Sequence, residues 1–232
     1  MKKYSNLLKK IPLFQALSET EIDNLSDSLR RVQVKQGQIV FRRGDEATGL
    51  YIVNKGSVKI VLNSKMGYEI IVAIFSEGDF FGEASLLDGE PRPADAISIV
   101  NSEILILARK DFMRFLNSDI NAIKAILAVL TKRLKNSYDQ IEDLCFLSIS
   151  ERLAKLIVEL AKIYGKPDAK NPKDCIFIDI ALSQKEIGDM IGATRESINK
   201  EIKVLKEKSL IKMNGKYMTI CNLERLKRNY KN

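Results

Sequence analysis

Residues 183–220 read SQKEIGDMIGATRESINKEIKVLKEKSLIKMNGKYMTI, and their punctuation predicts helix, tight turn, helix and hairpin. Ser183 and Glu186 stand at the spacing at which a serine hydroxyl caps a helix and the glutamate three residues on caps it in return. Gly192 ends the first helix and Thr194 caps the second. Asn214 and Gly215 predict a two-residue type I′ turn between IKM and KYM. Two helices joined by a short glycine turn and followed by a two-stranded wing make a winged helix-turn-helix.

In such a motif the second helix enters the major groove of DNA, while the first helix and the flanking turns fix phosphates. The second helix begins Thr194, Arg195, Glu196, Ser197, Ile198, Asn199, Lys200. Ile198, Ile202 and Leu205 form its inward face, which leaves Arg195, Glu196 and Asn199 or Lys200 on the outer first turns. Arginine can bond both acceptors of guanine and glutamate can accept from the cytosine amino group, so the pair suits a G·C-containing half-site. On these residues alone, ordinary surface ion pairs remain an alternative, with Glu196 and Lys200 at the i, i+4 spacing. The charge fits the first reading but fits a solubilising surface equally, and does not by itself separate them. Residues 151–232 hold 18 Lys plus Arg against 11 Asp plus Glu, so +7 of the net +8 lies there, as expected of a unit that meets a polyanion.

Upstream, Ile120, Ile123, Leu127, Leu130, Leu134, Ser137, Ile141 and Leu144 recur at alternating spacings of three and four. This narrow seven-residue repeat predicts a helix that pairs with a second copy as a parallel two-fold dimer, the alternative being a helix packed on its own domain, whose stripe is usually wider. Ser137 is the polar member of the seam. LCFLSISERLAKLIVELAKIYG then reads as a hinge around residues 144–150 and a new helix capped by Ser148 and Glu151. GKPDAKNPKD, residues 165–174, predicts an exposed loop, and FIDI a short strand. Before the seam, residues 32–108 hold short β-branched runs (VQVK, QIVF, GLYIV, SVKIVL, EIIVAIF, AISIV, EILILA) separated mostly by glycine-containing breaks. These predict an antiparallel barrel or jelly roll. A short helix with a Ser18–Glu21 capping box precedes them.

Within the strand-rich part, FGEASLLDGEPRPADA (81–96) places Gly82 and Glu83 nine to ten residues before Arg92, the one cation between Glu77 and Asp95, stiffened by Pro91 and Pro93. One carboxylate and one guanidinium at the ends of such a loop suit a ligand carrying hydroxyl and phosphate groups.

Other chemistries are poorly provided for. The chain has no histidine, which counts against a His-ligated haem, most zinc enzymes and a Ser-His or Cys-His nucleophile. Cys145, Cys175 and Cys221 lack any CxxC pairing, so neither a disulfide framework nor a zinc site is suggested, and buried structural thiols are expected. The N-terminus MKKYSNLLKKIPLF lacks a signal peptide's apolar segment and no run approaches a membrane span, which predicts a cytoplasmic protein without membrane contact.

Over essentially its whole length the sequence resembles the cyclic AMP receptor protein/FNR (Crp/Fnr) family of bacterial transcription regulators. The resemblance is carried by FGEASLLDGEPR, by the seam helix and by SQKEIGDMIGATRESINKEIKVL. It implies an α+β fold: a cyclic-nucleotide-binding-type β jelly roll (1–117), a dimerisation helix with hinge (118–147), and a winged helix-turn-helix (148–232). It also implies a homodimeric regulator and no enzyme. Its effector would be cyclic AMP or another cyclic nucleotide, with no metal, haem or iron-sulfur cluster, since no cysteine precedes Cys145. By resemblance Glu83 accepts from the ribose hydroxyl, the backbone of Gly82 approaches the ligand, Arg92 neutralises the phosphate, and Ser137 and Tyr138 meet the base. Pro93 departs from the pattern, because it lacks the N–H that a small residue there would donate to the phosphate, and Asp95 adds a negative charge nearby. For DNA, the resemblance implies TGTGA-like palindromic half-sites read by Arg195, Glu196, Asn199 and Lys200, phosphates held by Ser183, Lys185 and Thr194, and an RNA polymerase contact at 165–174. Two alternatives stay open: a regulator with another ligand or a degenerate pocket, and a ligand-binding subunit that controls a protein partner.

Overall fold

The computed structural model describes residues 3–15, 17–64, 69–118, 120–169 and 175–228. The chain opens with α1 (Ser5–Leu8), a 3-10 turn (Pro12–Phe14) and α2 (Glu19–Asp27), whose Ser18–Glu21 capping box forms as expected. Then follow β1 (Leu29–Val34), β2 (Ile39–Phe41), β3 (Gly49–Lys55), β4 (Ser57–Asn63), β5 (Glu69–Ser76) and β6 (Phe80–Phe81). After α3 (Ala84–Asp88) come β7 (Asp95–Ser98), β8 (Ser102–Ala108), α4 (Arg109–Ser118) and α5 (Ile120–Phe146). Two compact units, residues 1–136 and 137–232, divide within α5.

In the first unit two antiparallel four-stranded sheets, ordered β1-β8-β3-β6 and β2-β7-β4-β5, form the jelly roll. The two-residue period of a strand explains why GLYIV and EILILA are apolar without a break. Tyr51, Val53 and Ile104 face the core between the sheets, whereas Leu50, Ile52, Leu105 and Leu107 face a second core under α1, α2, α4 and α5. Both faces of β3 and β8 are therefore buried.

The long helix α5 carries two stripes. Ala122, Ile126, Val129 and Arg133, spaced four, three and four, turn inward onto the first unit; Ala122 and Ile126 are buried, and Val129 packs against the core. Most of the predicted seam is exposed instead, with Ile120 at 61%, Leu127 at 56%, Leu134 at 51% and Ile141 at 58%, whereas Leu130 is half-buried and packs against the core of the first unit.

The second unit contains α6 (Ile149–Tyr164), β9 (Gly165–Pro167), β10 (Ile176–Ile178), α7 (Gln184–Ile191), α8 (Arg195–Glu207), β11 (Ile211–Asn214), β12 (Tyr217–Ile220) and α9 (Leu223–Arg228). Leu153, Ile157, Ile187, Ile198, Ile202 and Leu226 meet in its core.

Several expectations change here. Part of the 165–174 loop is strand, because Gly165–Pro167 pairs with β10; residues 170–174 lie outside the described residues. FIDI contributes only its first two residues to β10. The hinge is narrower than 144–150, with Leu147 and Ser148 alone between α5 and α6. The wing turn is shifted by one residue. Asn214 is still a ladder partner of Tyr217, so the central pair is Gly215–Lys216, and the left-handed φ of 59° falls on Gly215 alone. A positive φ at the first central residue only is the pattern of a type II′ turn, not I′.

Candidate functional site

The loop 81–96 is built around one buried cation. Residues 84–88 coil into α3, and Arg92 is 2% exposed. Pro91 and Pro93 have no N–H, and the one between them, on Arg92, donates to Asp45 O at 2.9 Å, while Gly44 N donates to Arg92 O at 2.8 Å. The Arg92 backbone is thus fixed to the 42–45 turn, and its side chain points into the jelly roll. Its Nη1 donates to Gly82 O at 2.6 Å and its Nη2 to Gly49 O at 2.7 Å. The guanidinium lies 4.5 Å from the centre of the Phe41 ring and 5.3 Å from that of Tyr51. Burial pushes the arginine below its ordinary pKa, opposed by Tyr51, Glu83 and Asp45. Among the described residues no carboxylate lies within 4.0 Å of it, and its Nε has no partner.

Glu83 is 4% exposed, with Oε1 bonded to Arg133 and Oε2 without a partner among the described residues. Arg133 also donates to Phe80 O and stacks over Phe75 and Phe80 at 4.7 and 5.0 Å. Sequence reasoning missed Arg133. Its signal was the second stripe of α5, on which it follows Ala122, Ile126 and Val129. Gly82 has a φ of 84°, and a Cβ there would sit 2.7 Å from Arg92 Nη1, so this residue must be glycine for the contact to exist.

The remaining ligand-site expectations fall elsewhere. Pro93 is exposed beside Arg92. Asp95 does not add a loose charge to the pocket: its Oδ1 accepts from Arg43 N at 2.7 Å and its Oδ2 from Asn63 Nδ2 at 2.6 Å, tying β7 to its neighbours. Ser137 and Tyr138 lie on α5 in the second unit, both exposed.

The second site is the outer face of the helix pair. Ser183 and Glu186 close their capping box, Gly192 ends α7 with a φ of 65°, and Thr194 accepts from Ser197 N. Thr194, Arg195, Glu196, Asn199 and Lys200 are all exposed. The Glu196–Lys200 ion pair is absent: among the described residues α8 pairs Lys203 with Glu207, and neither Glu196 nor Lys200 has a partner. Lys185 is 2.9 Å from Asp189, and Gln184 Nε2 reaches Asn199 Oδ1 over a long 3.4 Å.

Ser183, Lys185, Arg195 and Asn199 line an open groove of about 750 Å³, whereas Thr194, Glu196 and Lys200 stand outside it. Lys203, Lys206 and Lys216 line the same groove and were not foreseen. Lys203 and Lys206 follow Arg195 at eight and eleven residues, a helical spacing that continues its face.

The thiols differ from expectation as well. Cys175 is buried, Cys221 is half-buried and Cys145 is exposed. Among the described residues no group of three or more His, Cys, Asp or Glu could hold a metal ion, and no helix is long and apolar enough to cross a membrane.

Comparison with known proteins places both sites in one context. The family model of the cyclic nucleotide-binding domain matches residues 31–119, and that of the Crp-like helix-turn-helix domain matches residues 151–229. The chain is 33% identical over 182 residues to the cAMP-activated global transcriptional regulator CRP of Haemophilus influenzae, covering 78% of this chain and 79% of that one. It is 29% identical over 222 residues to the CRP-like cAMP-activated global transcriptional regulator of Mycobacterium tuberculosis, covering 96% and 97%. Its fold matches the structure of FixK2 from Bradyrhizobium japonicum with a TM-score of 0.75 at 20% identity, over 87% of this chain and 96% of that one.

Proposed function

The chain belongs to the Crp/Fnr family of transcription regulators, and from that premise we propose that it works as a homodimeric, sequence-specific DNA-binding protein set by a cyclic nucleotide. It acts as a regulator without catalytic turnover, in the cytoplasm. Residues 1–117 are the effector part, 118–147 the dimerisation helix and hinge, and 148–232 the DNA reader. The relatives in Haemophilus influenzae and Mycobacterium tuberculosis are named as cAMP-activated, which makes cyclic AMP the first effector to test.

The observation that carries this reading is the buried Arg92. A guanidinium held by carbonyls, with no carboxylate within 4.0 Å and one N–H unused, lacks an anionic partner in direct contact, Glu83 and Asp45 acting on it only from farther off. A buried charge without one is costly. The unpartnered Glu83 oxygen, a free acceptor, suits a sugar hydroxyl. These residues fit a cyclic nucleotide: Arg92 for the phosphate, Glu83 for the ribose, the Gly82 backbone at close approach, and Ser137 and Tyr138 on the dimerisation helix for the base. Arg133 orients Glu83 by holding its other oxygen. Effector occupancy is read out through α5 and the Leu147–Ser148 link, which shifts the two recognition helices of the dimer.

On DNA, Arg195, Glu196, Asn199 and Lys200 read a TGTGA-like half-site, and Ser183, Lys185 and Thr194 hold phosphates. The segment 165–174 is the proposed contact with RNA polymerase. Pro93 favours a second reading, in which the pocket takes a ligand other than cyclic AMP or none, because the N–H it lacks is worth about 1.5–3 kcal/mol when bonded to a charged group.

Calorimetry against a panel of nucleotides separates the two. If cyclic AMP is the effector, Arg92→Ala abolishes binding and Pro93→Ser strengthens it about tenfold or more, the equivalent of such a bond. Binding of cyclic AMP that is indifferent to both changes would sink the assignment. Binding of no nucleotide by any version would leave the pocket without a regulatory role.

A further inference from the structure

The strands of the second unit bring two of the three cysteines together. In the β10–β12 ladder Ile176 is the partner of Ile220, and continuing the antiparallel register by one residue sets Cys175 opposite Cys221. Directly opposed residues in such a ladder have Cα atoms about 4.5–5.5 Å apart, inside the roughly 4.4–6.8 Å that a disulfide spans. Both backbones are held from their outer sides. Asp168 N donates to Cys175 O at 3.1 Å, and Cys221 N donates to Leu210 O at 2.8 Å.

We propose that Cys175 and Cys221 form a dithiol site that a low-molecular-weight disulfide oxidises to an intramolecular disulfide in the folded protein. The half-buried Cys221 is the entry point, since Cys175 is only 7% exposed. The Cys221 thiolate attacks one sulfur of the oxidant, forming a mixed disulfide and releasing one thiolate. The Cys175 thiolate then attacks the Cys221 sulfur of that mixed disulfide, forming the Cys175–Cys221 bond and expelling the second. Two protein thiols are oxidised, and the oxidant is reduced to two thiols that take up the two protons. Burial, with the neighbouring Cys175 next, holds the Cys221 thiol above its ordinary pKa, so the site rests as a dithiol and responds to sustained disulfide stress instead of acting as a fast peroxide sensor. The closed loop runs from β10 to β12 and contains α7, α8 and β11. The bond therefore constrains the entire helix-turn-helix and its wing in the unfolded chain.

The test uses the full, reduced protein incubated with oxidised glutathione under native conditions. The expected result is a peptide linking Cys175 to Cys221, a mass lower by two hydrogens, one of the three thiols left titratable, and a higher melting temperature that dithiothreitol reverses. Cys145→Ser should give the same linked peptide, and Cys221→Ser none. Peptide mapping of the unaltered protein does not depend on whether either variant folds. The proposal is overturned if native oxidation yields only glutathione on Cys145 or a Cys145 crosslink between chains, or if the Cys175–Cys221 peptide forms only after denaturation.

Discussion

Arg92 heads the largest side chains buried in the protein, and its two carbonyl bonds and two ring faces stand where a counter-ion would be expected. Carbonyl dipoles and aromatic quadrupoles stabilise a cation without neutralising it, which keeps its attraction for an anion. The contact to Gly82 O depends on a backbone that only glycine adopts easily. Gly82→Ala adds about 1–2 kcal/mol of left-handed strain and a Cβ 2.7 Å from Arg92 Nη1. We expect this variant to melt at lower temperature and to lose nucleotide affinity together; wild-type affinity in calorimetry would show that the Gly82–Arg92 contact does not shape the pocket. Gly82, Glu83 and Arg92 stood out in the sequence because Arg92 is the one cation of a glycine- and proline-marked loop that opens on Gly82 and Glu83. Arg133 was not, since a cation on a surface-rich helix looks solvated until the helix is seen lying against β6. Asp95 was misread for a related reason: its bonds to Arg43 and Asn63 cross between segments far apart in the chain.

Among the elements, α5 shows how far periodicity reaches. Its seam was read from spacing alone, and the structure leaves all but one of its apolar side chains exposed in the single chain, while Leu130 packs with a parallel stripe against the core. Exposed apolar side chains in a line with a seven-residue repeat are the expected surface of a coiled pair. Leu134→Glu with Ile141→Glu should leave each unit folded, because neither side chain is buried, yet shift the protein to a monomer in sedimentation and abolish operator binding. A dimer that survives both changes would remove the seam from the account. Local punctuation was equally readable: all three capping boxes form. At α6 the Ser148 hydroxyl and backbone N–H both bond the Glu151 carboxylate and hold it below its ordinary pKa. A depressed value in the folded state means that the cap's contribution is present above the unfolded value and is lost as pH falls through the folded one. Amide protection in the first turn of α6, measured relative to the intrinsic exchange rate at each pH, should therefore fall on acidification, and Ser148→Ala should leave that protection low and nearly independent of pH across the range. Spacing did not reveal α1, α4 or α9, nor β6, α3 and β9, which are two to five residues long. Elements this short are decided by the partner strand or core they meet, not by their own propensity.

At the scale of the whole molecule, the uneven charge becomes a statement about DNA. Of the basic residues in the second unit, Lys203, Lys206 and Lys216 share a groove with Arg195 and Asn199, while Glu196 and Lys200 stand outside it. The groove thus sets two of the proposed base readers, Arg195 and Asn199, beside lysines suited to phosphates. Arg195→Ala should relax sequence preference, costing about 1–3 kcal/mol at the cognate base pair and little on unrelated DNA. Lys206→Ala should weaken all sequences nearly equally and flatten the dependence of log affinity on log salt. The size of that flattening also counts subunits. Each phosphate contact contributes about 0.9 to the slope on double-stranded DNA, so losing one lysine from each half of a two-fold dimer removes about 1.8, and losing it from a monomer removes about 0.9. A salt titration of Lys206→Ala against wild type on the same palindrome therefore tests the groove and the dimer in one measurement. No change in slope would take Lys206 off the phosphate backbone, and a change near 0.9 would mean that only one copy of the reader engages the site.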